Sequence, residues 1–128
     1  MKNAFSGSWI RSTQPRKQRK YVFNAPLHIK ASFMKSPLSK DLRTKSGRRT
    51  FNVKAGDKVR VVRGQFKGKS GRVDRIDLKR GKLFVTGVEM TKKDGGKVQY
   101  PLHPSNVMIE DLALDDKKRK NKFEGKKE

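Results

Sequence analysis

Cysteine is absent, which excludes disulfides, thiolate metal sites and thiol catalysis. Histidine is nearly so: His28 and His103 are too few for a zinc site without thiolates, so neither a metal nor a cofactor is expected. Carboxylates are scarce, with 12 Asp and Glu against 34 Lys and Arg. Asp74, Asp77 and Glu89 stand among basic residues with no histidine or nucleophile beside them. No catalytic constellation follows, and no small-molecule substrate. Apolar residues make up 32% of the 128, too few to bury a core along the whole length. A domain of roughly 55–65 residues can still fold alone. No apolar run approaches the ~18 residues of a membrane span, and the short helical patterns lack the apolar face of a membrane-surface helix. What is abundant is positive charge, a formal +22. On so small a chain it calls for a polyanionic partner, of which nucleic acid is the commonest.

The excess is uneven. Residues 1–56 carry +13, residues 57–112 carry +6 and residues 113–128 carry +3. The first acid is Asp41, and the forty residues before it hold nine Lys or Arg. Such a segment repels itself, so residues 1–56 are expected to be largely extended until an anion neutralises them. A merely solvated tail has no use for Tyr21-Val22-Phe23, Pro26-Leu27, Phe33-Met34 and Pro37-Leu38, which recur between the charges; an arm that docks on a surface does. Met1–Thr13 has the acid-free, serine-containing composition of an organellar transit peptide. Basic composition persists far past any cleavage point, however, and the longest apolar run there is Trp9-Ile10, so the cytoplasm is the expected compartment.

Two short helices are expected in the first third. Asn24 can cap one, with Pro26 in its first turn and Leu27, Ala31 and Met34 on one face. Ser36-Pro37 reads as the cap and first turn of a second, carrying Leu38 and Leu42 and stopping at Gly47. From Lys58 the period changes to two. Lys58–Val61, Arg72–Asp77, Lys82–Val85, Lys97–Tyr100 and Asn106–Ile109 read as five strands, and Asp94-Gly95-Gly96 as a hairpin turn. Short strands at close intervals indicate a small curved barrel. Its expected core is Val59, Val61, Val73, Ile76, Leu83, Val85, Val88, Val107 and Ile109. From Asp115 onward, acids precede a Lys-Lys-Arg-Lys run, which suits a frayed helix or a tail with little to bury.

Gly64-Gln65-Phe66-Lys67-Gly68-Lys69-Ser70 approaches a phosphate-binding P-loop but has three residues between its glycines where that motif needs four. A strand pattern follows it rather than a helix. It reads instead as a glycine-rich hairpin loop, with Gly64, Gly68 and Gly71 free to take positive φ. Its Lys67 and Lys69, with Arg63 and Arg72, are candidate phosphate contacts. Trp9, Tyr21, Phe23, Phe51 and Phe66 are interleaved with cations, as in proteins that stack unpaired bases. Phe51 and Phe84 are the ones expected in the core.

Lys58–Val73 resembles a KOW motif. Gln14–Lys20, Asn24–Ile29, Ser36–Arg43 and His103–Val107 resemble the archaeal and eukaryotic branch of the large-subunit ribosomal protein twenty-four family, and the likeness runs from about Gln14 to Leu114. The resemblance implies a mainly β protein, an SH3-like barrel with a basic extended N-terminal arm bearing short helices and a charged C-terminal tail. The divisions are a basic arm (1–23), short helices (24–50), the KOW barrel (51–112) and the tail (113–128). It also implies binding near the 5′ end of large-subunit rRNA, early in subunit assembly. Neighbours would be other large-subunit proteins and targeting factors at the mouth of the exit tunnel, in the cytoplasmic ribosome. The RNA-contacting set combines Arg16, Lys17, Arg19, Lys20, Arg48, Arg49, Arg63, Lys67, Lys69 and Arg72 with His103, Ser105 and Asn106. The alternative is a KOW-type transcription elongation factor; it would be expected to carry a second folded domain, for which 128 residues leave no room.

Overall fold

The computed structural model describes residues 5–125. In chain order its elements are α1 (Pro15–Asn24), α2 (Leu27–Phe33), β1 (Lys35–Pro37), α3 (Lys40–Ser46), β2 (Thr50–Asn52), β3 (Lys58–Val61), β4 (Ser70–Asp77), β5 (Lys82–Val85), β6 (Glu89–Thr91), β7 (Lys97–Gln99), β8 (Val107–Asp111) and α4 (Lys117–Glu124), with a 3-10 turn at Pro104–Asn106. The central sheet runs β5-β4-β3-β8, every neighbour antiparallel, and β1–β2 and β6–β7 form two-stranded sheets beside it. Single bridges, Leu38 to Ile109 and Leu83 to Leu102, curl the edges inward into a barrel-like unit.

Alternation places the core. On β3, Val59 and Val61 are buried while Lys58 and Arg60 face out. Val59 lies opposite Ile109, and Val61 opposite Val107. Val73, Leu83, Val85 and Val88 complete the interior that alternation predicts. Ile76 does not fully join them and packs only partly buried at the margin. An odd spacing from Val73 would put it on the outer face, and the register shift between Val73 and Arg75 turns it only part of the way back.

The larger correction concerns residues 34–53. Met34, Leu38, Leu42, Phe51 and Val53 are all buried in the same core, so this stretch is not a free, extended arm. Val53 N donates to Met34 O at 3.0 Å, and the buried Ser36 hydroxyl donates to Pro104 O at 2.6 Å. Ser36-Pro37 therefore belongs to β1 and starts no helix; α3 begins after Ser39, with Asp41 in its first turn, and ends at Gly47 as expected. The N-cap position of α2 is Pro26 and not Asn24. Asn24 closes α1, and Ala25, held extended by the following proline, separates the two helices. Residues 15–24 are likewise helical rather than extended, with Pro15 in the first turn. Eight strands replace the expected five among the described residues; the additions, β1, β2 and β6, are three residues each, too short to show a period.

The C-terminal segment also differs from a tail. α4 buries Phe123, edge-on to Phe51 at 5.8 Å, and Arg119. Arg119 meets the fully buried Asp57 with both guanidinium ends, Nη1 reaching Oδ1 at 2.6 Å. Backbone groups meet the other valences of both Asp57 oxygens and both Arg119 Nη atoms. Asp57 accepts from Lys54 N and Ala113 N, and Arg119 donates to Ala113 O and Asn52 O. A buried pair offsets its desolvation only with such additional hydrogen bonds.

Candidate nucleic-acid interface

The loop between β3 and β4 is built by its own backbone. Gly68 N donates to Val61 O, and Val61 N donates to Lys69 O, both at 2.8 Å. Gly64 and Gly68 take φ of 95° and 93°, where side chains are strained. Gly71 does not: it lies within β4, and its requirement is steric, because a Cβ there would collide with Thr86 O and stand 2.9 Å from Val85 Cγ1. Phe66 is buried against Tyr100 at 5.0 Å and anchors the loop from below, with Lys69 Nζ 5.1 Å from its ring centre. Strand β4 follows directly, so the loop opens no helix and is no P-loop. Arg63, Lys67 and Lys69 are all exposed on it.

The 3-10 turn lies beside this loop, since Val62 N donates to Asn106 O at 2.9 Å. His103 caps the turn: Ser105 N donates to His103 Nδ1 at 3.2 Å, and the Ser105 hydroxyl lies 2.7 Å from the same nitrogen. Partial burial, then the Lys82 charge, lowers the His103 pKa from its usual value. The neutral ring fits a nitrogen that accepts. Arg63, Lys67, Lys69, His103, Ser105 and Asn106 thus occupy two adjacent segments. Arg72 stands apart, three strand positions along, opposite Lys58, with its guanidinium donating to Gly56 O at 3.3 Å. Arg48 and Arg49 follow α3, where Leu38 N donates to Arg49 O and Leu38 bridges to Ile109 in the middle of β8.

Helix α1 carries the other cations. Gln18 Nε2 donates to Ser12 O at 2.6 Å, folding residues 5–12 back along the helix. Tyr21 stacks on Trp9 at 4.8 Å and also meets Phe5 and Phe33. Lys17 and Lys20 border that aromatic cluster, whereas Arg19 lines a cleft on another side with Val22, Phe23, Lys79 and Arg80. Arg16 is exposed. Of the five aromatics read as base-stacking candidates, Phe51 and Phe66 are buried and Trp9 and Tyr21 cover each other. Phe23 alone among them is open, 80% exposed. Sequence reading passed over Lys30, Lys79 and Arg80, although Lys79-Arg80 in a turn before a glycine was a visible signal. Among the described residues no acidic, histidine or cysteine cluster could hold a metal, and no helix is long and apolar enough to cross a membrane.

Residues 12–126 match the family model that describes the eukaryotic ribosomal proteins L26 and their archaeal counterparts. The chain belongs to this family. It is a ribosomal protein and not an enzyme. It is similar to a protein of Methanocorpusculum labreanum named "Large ribosomal subunit protein uL24", 50% identical over 117 residues that cover 91% of this chain and 97% of the relative. The match spans α1, the barrel-like unit and α4 alike, so the ribosomal-protein family accounts for the helical extensions as well as the strands.

Proposed function

We propose that the protein binds large-subunit rRNA in its 5′ region through two basic surfaces, acts early in subunit assembly and lies near the exit of the polypeptide tunnel. As a member of its family it is a structural constituent of the large subunit of the cytoplasmic ribosome. The observation that carries the RNA reading is the junction of the loop at Arg63–Lys69 with the turn at His103–Asn106 through the Val62–Asn106 hydrogen bond. It concentrates cations and neutral hydrogen-bonding groups on one exposed patch. Such a patch contacts phosphates and 2′-hydroxyls and reads helix shape, since the A-form major groove is too narrow for side chains. Affinity then comes mainly from counterion release and falls with salt. Neighbouring large-subunit proteins and targeting factors are its expected protein contacts.

Sedimentation tests the assignment. The protein should co-migrate with large subunits and remain bound at high salt, and the isolated chain should bind a fragment from the 5′ region of large-subunit rRNA. Release from subunits at moderate salt, with equal affinity for any polyanion, would overturn the reading.

A further inference from the structure

The cleft between α1 and the turn joining β4 to β5 has a volume of about 580 Å³. That lies within the range of pockets that hold small ligands. Its apolar wall is Val22 and Phe23, 52% and 80% exposed, and its rim is Arg19, Lys79 and Arg80. An aromatic ring this exposed has no part in folding the chain. The turn that forms one wall is held by hydrogen bonds. Lys30 Nζ donates to Lys79 O at 3.4 Å, tying the turn to α2, and Arg80 N donates to Asp77 Oδ1 at 3.3 Å, shaping the turn. Asp77 also lies 3.9 Å from Arg80 Nε, a distance at which an exposed guanidinium remains available to a stronger anion.

We infer that this cleft takes one unpaired nucleotide of the RNA, its base stacked on Phe23 and its flanking phosphates held by Arg19, Lys79 and Arg80. The inference rests on the RNA-binding reading above and assigns a particular ligand to a second surface. The chemistry favours a nucleotide over a protein segment. A flat aromatic face ringed by cations matches a base with its phosphates, and stacking tolerates any base because each has a π-face. An apolar peptide would leave three cations facing it without partners.

Three substitutions of the full chain test this: Phe23→Ala, Phe23→Leu and Phe23→Trp. The probes are the 5′-region rRNA fragment and a fully paired RNA duplex of similar length. Phe23→Ala should weaken binding to the fragment by about 5- to 150-fold. The slope of affinity against salt should not change, because no charge is lost. Phe23→Leu should recover little of that loss, whereas Phe23→Trp should restore it. On the duplex, which offers no unpaired base, all three should match the parent chain. Circular dichroism should be unchanged throughout. Parent-like binding of Phe23→Ala to the fragment would overturn the inference and assign the surface to a protein neighbour. So would full recovery with Phe23→Leu, or equal losses on fragment and duplex. These results leave the RNA reading standing if Lys67→Ala with Lys69→Ala still weakens binding. Failure of the parent chain to bind the fragment would instead remove both.

Discussion

Replacing Gly71 and replacing the lysines two and four positions before it should have opposite consequences. A valine at Gly71 drives Cβ into the Thr86 carbonyl, a backbone atom held in the ladder beside it, with Val85 behind. Gly71→Val should therefore cost at least about 1–3 kcal/mol in denaturant unfolding, as overpacked sites do. Lys67 and Lys69 are exposed, and the Lys69 side chain makes a cation–π contact with Phe66 while its backbone bonds survive truncation to Ala. Lys67→Ala with Lys69→Ala should leave unfolding nearly unchanged and flatten the salt slope of RNA binding by roughly 1.5 units, at ~0.7–0.9 per phosphate. Equal movement of the unfolding midpoints would refute that division of roles. His103 offers a pH test. Its folded-state pKa lies below the usual 6.5, so as pH falls through that value the unfolded chain takes the proton first. The fold is then at full strength above about pH 6.5 and weakens below it, because partial burial, and then the Lys82 charge, disfavour the protonated ring. His103→Asn should remove this part of the pH dependence between neutral pH and the range where carboxylates titrate. Parallel stability curves for the two chains would exclude it.

Helix α4 is the element whose importance the sequence conceals. Its composition is that of a solvated tail, yet Arg119 reaches a carboxylate 62 residues away that is fully buried. Asp116 starts the helix, accepting from Lys118 N at 3.0 Å. That bond, outweighing slight desolvation and aided by Lys54, holds its carboxyl below the ordinary range. Arg119→Ala should cost about 3–5 kcal/mol, the penalty for stranding a buried charge. Lys118→Ala and Lys122→Ala, both on the exposed face, should cost little. Replacing Asp57 and Arg119 together by apolar residues should recover only part of the loss, because Lys54 N, Ala113 N, Ala113 O and Asn52 O then lose their partners. An Asp57→Asn variant as stable as the parent chain would show that the charge pairing is not what holds α4. Long alternating or glycine-punctuated stretches were legible: β3, β4, β5, the β6–β7 turn and the Gly47 stop all appear where pattern places them. Contacts between distant segments were not. Met34 and Phe51 were expected to pack, but not where: no period marks Ser36 as interior or joins the three, because they lie in or beside strands of three residues whose burial depends on β8, the 3-10 turn and α4. At the candidate interface, loop residues were readable from charge and glycine. The grouping of His103–Asn106 with them depends on one backbone hydrogen bond that no local signal encodes.

Over the whole molecule, charge and core separate along the chain more sharply than the three-way division of the sequence implied. The interior begins at Ala25 and Met34, and nothing N-terminal to them is buried among the described residues. Residues 1–24 nevertheless contain Lys2, Arg11, Arg16, Lys17, Arg19 and Lys20 with no acid. Lys2 lies outside the described residues, and the other five are exposed. Deleting residues 1–24 should thus leave the barrel-like unit folded, with protected amides from Met34 onward, while removing six cations. If all six meet phosphate, the log–log salt slope should flatten by roughly 4–5 units, at ~0.7–0.9 per phosphate neutralised. The shortened chain should lose binding steeply at high salt and keep it at low salt through Arg48, Arg49, Arg63, Lys67, Lys69 and Arg72. A segment that keeps its counterions in the complex gives another result, since truncation would then leave the slope almost untouched. Titrating both chains against the 5′-region fragment at several potassium concentrations separates the two. A change below about one unit, the contribution of a single phosphate, would remove α1 and the residues before it from the RNA-binding surface and leave recognition to the loop and the 3-10 turn.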